Sequence, residues 1–263
     1  MTTAHPGRMP VLFIGHGNPM NAIEHNAFRQ SWQELGRKLP KPKAVLCVSA
    51  HWETRGVYLT GSGNPETIHD FHGFPKALFD VQYPAPGDPA LAHSIKDQIT
   101  SLDARLDPER GLDHGAWSVL MAMYPEADVA VVQLSLDTGR PGAFHYALAQ
   151  ELKPLRDDGV LVLGSGNIVH NLSVFSFHNP SPLDWAVQYD EEIKKRILER
   201  DHEALMSYET VAPNAKLAVP TPEHYYPLLY TLALQDAGEP VGFFNSTVWS
   251  SISMTSVLIG EAR

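Results

Sequence analysis

Four short runs of apolar residues recur along the chain: VLFI at 11–14, AVLCVS at 44–49, VAVVQL at 129–134 and VLVL at 160–163. A strand that is apolar at nearly every position is buried on both faces, and such strands belong to sheets covered by helices on each side. Between the first two runs, Phe28, Trp32 and Leu35 recur at helical spacing, which predicts a helix over Phe28–Lys38. The first 50 residues therefore read strand, helix, strand, the pattern of a parallel pair joined by a helical crossover. Further helices are expected from Pro89 to about Ile99, after GLDHGAW at 111–117 through Met123, and over Pro141–Leu155, Leu183–Arg200 and Pro222–Gln235. Asp88-Pro89 supplies an N-cap followed by proline at the first helical position. The closing SISMTSVLIG reads as a last strand. The expected fold is a single α/β domain over residues 1–263, with a mostly parallel or mixed central sheet flanked by helices. Ligand sites in such sheets lie at the carboxyl ends of the strands.

Residues 61–88, GSGNPETIHDFHGFPKALFDVQYPAPGD, break this rhythm with glycine, proline and aromatic residues and little periodicity. Long irregular segments inside compact domains are commonly functional, and this one is expected to be an active-site lid.

Composition narrows the partners. A formal charge of −10 argues against nucleic acid and anionic membranes, which require a basic face. No apolar run approaches the ~18–20 residues of a membrane span, and MTTAHPGRMP lacks the pattern of a signal peptide. A soluble, unprocessed, cytoplasmic protein is expected. The one cysteine, Cys47, lies inside an apolar run, which reads as a small buried hydrophobe and rules out an intrachain disulfide or a four-cysteine zinc site.

Four of the 13 histidines stand where metal ligands would be placed: His16 in FIGHGNP, His51 in VSAHWET, His170 in GSGNIVHN and His224 in PTPEHYYP. The first three closely follow apolar runs, which predicts loops just past strand ends. Gly15, Gly17 and Ala50 beside His16 and His51 allow close approach of a ligand, and neutral imidazole is the commonest metal ligand. Each could equally be a histidine at the core edge bonded to a carbonyl, and no HExxH or CxxC spacing decides the matter. His114 follows Asp113 in a Gly-bounded turn, and His69, Asp70 and His72 lie in the expected lid. His5, His25, His93, His145, His178 and His202 read as solvated or locally hydrogen-bonded. Ser165 in GSG lacks the GxSxG elbow of a serine hydrolase.

Taken in order, FIGHGNPMNAIE, SAHWET, TIHDFHGFPKALFDVQYPAPGDP, GLDHGAW, GSGNIVHN and TPEHYYPLLY resemble the DOPA dioxygenase branch of the class III extradiol ring-cleavage dioxygenases. The blocks run from about residue 10 to residue 230. The resemblance implies a metal-dependent enzyme that opens the ring of a catechol such as L-DOPA with O2, with 4,5-cleavage expected and 2,3-cleavage the alternative. It implies that His16, His51 and His224 bind one divalent metal, with Glu223 as the alternative third ligand. His170 is then a further ligand or the acid/base, and His114 a catalytic or substrate-binding group. Trp52, His69, Asp70, His72 and Tyr83 are expected to meet substrate, with Phe71, Phe74 and Tyr83 enclosing the ring. Fe(II) is expected for turnover and Zn(II) as a bound or isolated metal, since an all-histidine set suits zinc. Arg55 and Lys76 are the available candidates for a substrate carboxylate. Two other readings fit the histidines alone: a zinc-dependent hydrolase of an amide or ester, and a non-catalytic binding protein of the same fold. No stripe distinguishes an interface from core, so no oligomeric state is assigned.

Overall fold

The computed structural model describes residues 8–176 and 179–262. Its strands are β1 (Val11–Gly15), β2 (Ala44–Glu53), β3 (Tyr58–Thr60), β4 (Arg105–Asp107), β5 (Ala130–Leu136), β6 (Val160–Gly166), β7 (Val241–Phe244), β8 (Val248–Trp249), β9 (Ile252–Ser253) and β10 (Ser256–Ile259). The helices are α1 (Ala27–Lys38), α2 (Lys76–Phe79), α3 (Pro89–Gln98), α4 (His114–Met123), α5 (Gly142–Glu151), α6 (Pro154–Asp157), α7 (Asp184–Glu199), α8 (His202–Met206), α9 (Ala215–Ala218) and α10 (Tyr226–Ala233). Among the described residues no helix is long and apolar enough to cross a membrane.

Eight strands form one mixed sheet in the order β4-β3-β5-β2-β6-β1-β10-β7. Its centre, β5-β2-β6-β1, is parallel throughout, and β10 and β7 add an antiparallel edge beside β1. The strand–helix–strand start does yield two parallel strands, but they are not neighbours: β6 is inserted between β1 and β2 and pairs with both. Sequence adjacency predicts contact only as a tendency, and here the later strand fills the gap. The closing segment is broken into β9 and β10 rather than forming one strand.

Alternation along the central strands explains why every position is apolar. Val11, Phe13, Leu46, Val48 and Val162 enter the core layer shared with α5, α7 and α10, whereas Leu12, Ile14, Val45, Cys47 and Leu163 enter the layer shared with α1 and α4. Asp88 Oδ1 accepts from Leu91 N at 2.9 Å, the expected N-cap, whereas α4 starts inside the GLDHGAW turn, at His114, because Asp113 Oδ1 accepts from Ala116 N at 3.2 Å. The expected Pro222–Gln235 helix is shorter, with α10 beginning at Tyr226; Pro222 caps the preceding turn by accepting from Tyr225 N and Tyr226 N at 3.0 Å.

The order β2-β6-β1 sets the carboxyl ends of these three strands side by side, which is the consequence that matters for function. Gly166 closes β6 where a Cβ would stand 2.1 Å from the carbonyl oxygen of His224. That contact is backbone against side chain and cannot relax by rotation. Gly166→Ala should therefore destabilise the fold by about 1–3 kcal/mol, as overpacked buried positions do; the urea midpoint measures it, and an unchanged midpoint would contradict the close approach.

Candidate metal centre

His16 directly follows β1, and its backbone N donates to Gly166 O at 3.1 Å. His51 is within the irregular end of β2, where the register with β5 shifts between Val48 and Glu53, so it is delivered by the strand rather than by a loop past it. His224 lies in the turn before α10, fastened to the end of β6 by Asn167 N donating to its carbonyl at 2.9 Å. The three side chains each offer a ligand nitrogen within 4.8 Å of the others.

Hydrogen bonds fix which nitrogen faces inward. Ser165 Oγ donates to Gly115 O at 2.5 Å, so it accepts from His16 Nδ1 at 3.0 Å. Glu223 Oε1 lies 3.0 Å from His224 Nδ1, and Asp70 Oδ2 lies 3.4 Å from His51 Nδ1. Each Nδ1 thus carries the proton and each Nε2 presents a lone pair. The Nε2 atoms of His16 and His51 are 3.1 Å apart. Two lone pairs at that distance repel unless a proton or a cation lies between them. Nitrogens about 2.0–2.1 Å from one tetrahedral ion would stand about 3.3 Å apart, so the trio fits a divalent metal. Carboxylate or hydroxyl partners behind the ligating imidazoles are the usual support of such a site.

Burial keeps these imidazoles neutral. It lowers His16 well below the ordinary value, aided by the charges of His51 and His114, and does the same to His224, aided by His170 and His51. Burial, then the charge of His114, brings His51 down to about 3 against the opposing pull of Asp113 and Asp70. Neutral nitrogen is the form a metal needs.

His114 is the first residue of α4, 5% exposed, and its backbone N donates to Asp70 Oδ1 at 2.9 Å. Its Nδ1 sits 3.0 Å from the same oxygen, near enough for an ion pair though off the line of a well-formed hydrogen bond. Asp70 thereby joins His51 to His114. Burial alone would raise its carboxyl, but the hydrogen bond and charge of His114 and the charge of His51 bring it to about 2. A second possible ligand group, His51, Asp70 and His114, follows from this closeness, yet Asp70 already serves both histidines. His170 stacks on His224 at 3.5 Å with the rings 11° apart. Stacked rings aim their nitrogens along parallel lines, which suits His170 poorly as a fourth ligand to the ion that His224 would hold. Burial, then the charge of His114, brings His170 to about 4.

These groups border a cavity of about 1040 Å³. Asp70 and His72 are on its wall, with Phe71 and Phe74. Three expected substrate contacts are not. Trp52 follows His51 along β2 and so points to the opposite face, buried beneath the Arg110 guanidinium at 5.2 Å. Tyr83 is a core residue whose hydroxyl donates to Tyr124 O at 3.1 Å, and His69 Nε2 donates to Val81 O at 2.9 Å. Arg55 and Lys76 are also off the wall, the latter paired with Asp80. Of residues 61–88, then, only 70–74 reach the cavity. The rest is held down by Ile68 N donating to Leu112 O, Gly87 N donating to Gly63 O, and burial of Leu78 and Ala85. The opposite wall comes from Leu172, Phe175, Trp249, Ile252 and Met254, which carry no sequence signal of their own. Glu53 also lines the cavity, and its position two residues beyond His51 on one strand is the signal that could have found it.

Among the other histidines, His25 and His93 are exposed, His145 is a core residue bonded to Tyr230 Oη at 3.1 Å, and His202 bonds Tyr146 Oη at 2.7 Å. His5 and His178 lie outside the described residues. Cys47 is fully buried, and burial pushes its thiol up, the opposite of a nucleophile.

Comparison with known proteins bears on this site. The family model for the catalytic LigB subunit of aromatic ring-opening dioxygenase matches residues 2–258. A protein of Escherichia coli K12 named 4,5-DOPA dioxygenase extradiol is 46% identical over 259 residues, covering 96% of this chain and 95% of that protein. A protein of the same name from Beta vulgaris is 43% identical over 236 residues, covering 87% of each. The crystal structure of an uncharacterized Escherichia coli K12 protein superposes with a TM-score of 0.85 at 42% identity, covering 96% of this chain and 100% of the other.

The lowered imidazoles predict a pH dependence. His51 at about 3, and His145 and His170 at about 4, bind fewer protons when folded than the unfolded chain, whose histidines titrate near 6.5. Stability is complete above about pH 6.5 and is lost as pH falls toward 4. Urea titrations of metal-free protein should show the midpoint falling through that window; a midpoint constant from pH 7 to pH 4.5 would refute it.

Proposed function

The chain belongs to the family of catalytic LigB subunits of aromatic ring-opening dioxygenases, and on that premise we propose that it opens a catechol such as L-DOPA with dioxygen, by extradiol cleavage at the 4,5 position. As a member of this family it is an enzyme, an oxygenase acting on aromatic rings. The observation that carries the finer reading is the trio His16, His51 and His224, whose inward nitrogens stand at the border of a cavity large enough for an aromatic ring. Membership in a dioxygenase family weighs against the amide hydrolase and the binding protein.

His16, His51 and His224 would hold one divalent ion, Fe(II) for turnover, with Zn(II) a competitor at an all-histidine set. When bound, the ion links catecholate to dioxygen electronically and acidifies the hydroxyl it carries. Everything else falls to side chains. With Nδ1 directed at Asp70, His114 keeps Nε2 for a substrate hydroxyl. His170, at about 4, is neutral at pH 7 and is able to take a proton from the catechol. It becomes an acid only by holding that proton, so the proton it returns to the departing oxygen is the substrate's own. Phe71, Phe74 and Trp249 make the wall apolar and keep water from the reacting ring.

Anaerobic reloading with Fe(II), followed by L-DOPA, should give rapid oxygen uptake and a yellow ring-opened product. Zinc-loaded protein should give neither, and His16→Ala should lose the metal as measured by elemental analysis. Absence of uptake at stoichiometric iron, with L-DOPA and with simple catechol, would sink the assignment. Replacing His170 by Gln should lower kcat by roughly 10²–10⁴-fold while leaving metal content intact; loss of the metal in that variant would instead make His170 a ligand.

A further inference from the structure

A catechol seated by its hydroxyls near His114 and the histidine trio turns its remaining substituent toward the rest of the cavity, where the fixed charges are all negative. Glu53 lies on the same face of β2 as His51, two residues further on, and is exposed. Its carboxylate has no ion-pair partner among the described residues, and no lysine or arginine of those residues lines the cavity. Glu223 borders the same space. Asp70, the third acid on the wall, is already committed to His51 and His114. Phe74 and Trp249 line the same cavity, and aromatic rings attract cations. Independently of the acids, His114 is 5% exposed and borders the cavity, and with its Nδ1 3.0 Å from Asp70 Oδ1 it has Nε2 left for a ligand. One ligand that carries a hydroxyl at one end and a positive charge at the other would satisfy both unmet groups.

We propose that the cavity selects catechols whose side chain ends in an ammonium, received by Glu53 on a wall that Glu223 also lines, and disfavours catechols whose side chain ends in a carboxylate. This selectivity rests on the ring-opening reading for its reaction, but not for its binding. L-DOPA carries both groups, so on this account its amine is the anchor and its carboxylate is tolerated. Attraction for one side chain and repulsion of the other act in the same direction, and both weaken with salt.

The test separates binding from chemistry. Zinc-loaded protein under nitrogen is titrated calorimetrically with dopamine and with 3-(3,4-dihydroxyphenyl)propanoate, which share the ring and differ in the charge of the side chain. Dopamine should bind tighter by about tenfold or more, equivalent to ~1.4 kcal/mol, and Glu53→Gln should narrow the ratio to below about threefold while circular dichroism shows an intact fold. Equal affinities, tighter binding of the propanoate, or a ratio that survives Glu53→Gln would each overturn the proposal. Oxygen uptake by the iron-loaded wild type with unsubstituted catechol reports on ring opening alone. Selective dopamine binding without that uptake would support the charge selectivity and remove the reaction.

Discussion

Three imidazoles in one small volume, each with its outer N–H tied and its inner lone pair bare, are the constraint to which the rest of the molecule is arranged. Burial holds them neutral, and neutrality leaves inner nitrogens that repel one another unless a cation lies between. An arrangement of that kind persists only when rigid surroundings impose it. Here the surroundings are the parallel centre of the sheet. β1 ends at His16, β2 carries His51, and β6, lying between them, ends in glycine so that the His224 segment can cross against its backbone. Ser165 on β6 then fixes the tautomer of His16 from the strand next door.

The partners behind the histidines also divide the labour of the site. Asp70 serves two imidazoles at once, one in the trio and the other that of His114, so the position of His114 is coupled to that of His51. His170 is held against His224 by stacking rather than by a shared ligand direction. On the proposed reading, a neutral imidazole stacked on His224, with a pKa lowered by burial, is a proton acceptor that becomes a donor only after accepting. This ordering suits a reaction that first removes a hydroxyl proton and later needs one at oxygen.

The charge on the walls follows a different logic from the charge around the histidine trio. Near the histidines every carboxylate has a partner, as buried charge requires. Farther along β2, Glu53 is exposed and uncommitted, and Glu223 lines the same cavity. An acid without a partner beside an aromatic wall is tolerable in water and becomes favourable when a cation arrives.

The sequence by itself determined what depends on neighbours along the chain. Unbroken apolar runs meant strands buried on both faces, Asp88 meant a helix start, and His16, His51, His170 and His224 stood out as candidate ligands, the trio being singled out only by the family resemblance. Motif order also made the family visible. It was less able to say which strands touch. The separation of β1 from β2 by β6 is decided by long-range pairing, and β3, β4, β7, β8 and β9 are too short for their alternation to stand out. That Trp52, Tyr83 and His69 stand off the cavity wall was not legible in the sequence, because residue type does not report the face to which a side chain is turned: one position along a strand reverses it, and a hydroxyl or imidazole bonded to a carbonyl is held away from the cavity. Ser165 met His16, and Glu53, Leu172 and Met254 came to line one cavity, only when the chain closed on itself. Local chemistry is written in local spacing, whereas the convergence of a site comes from contacts between residues far apart in sequence, and those exist only in the fold.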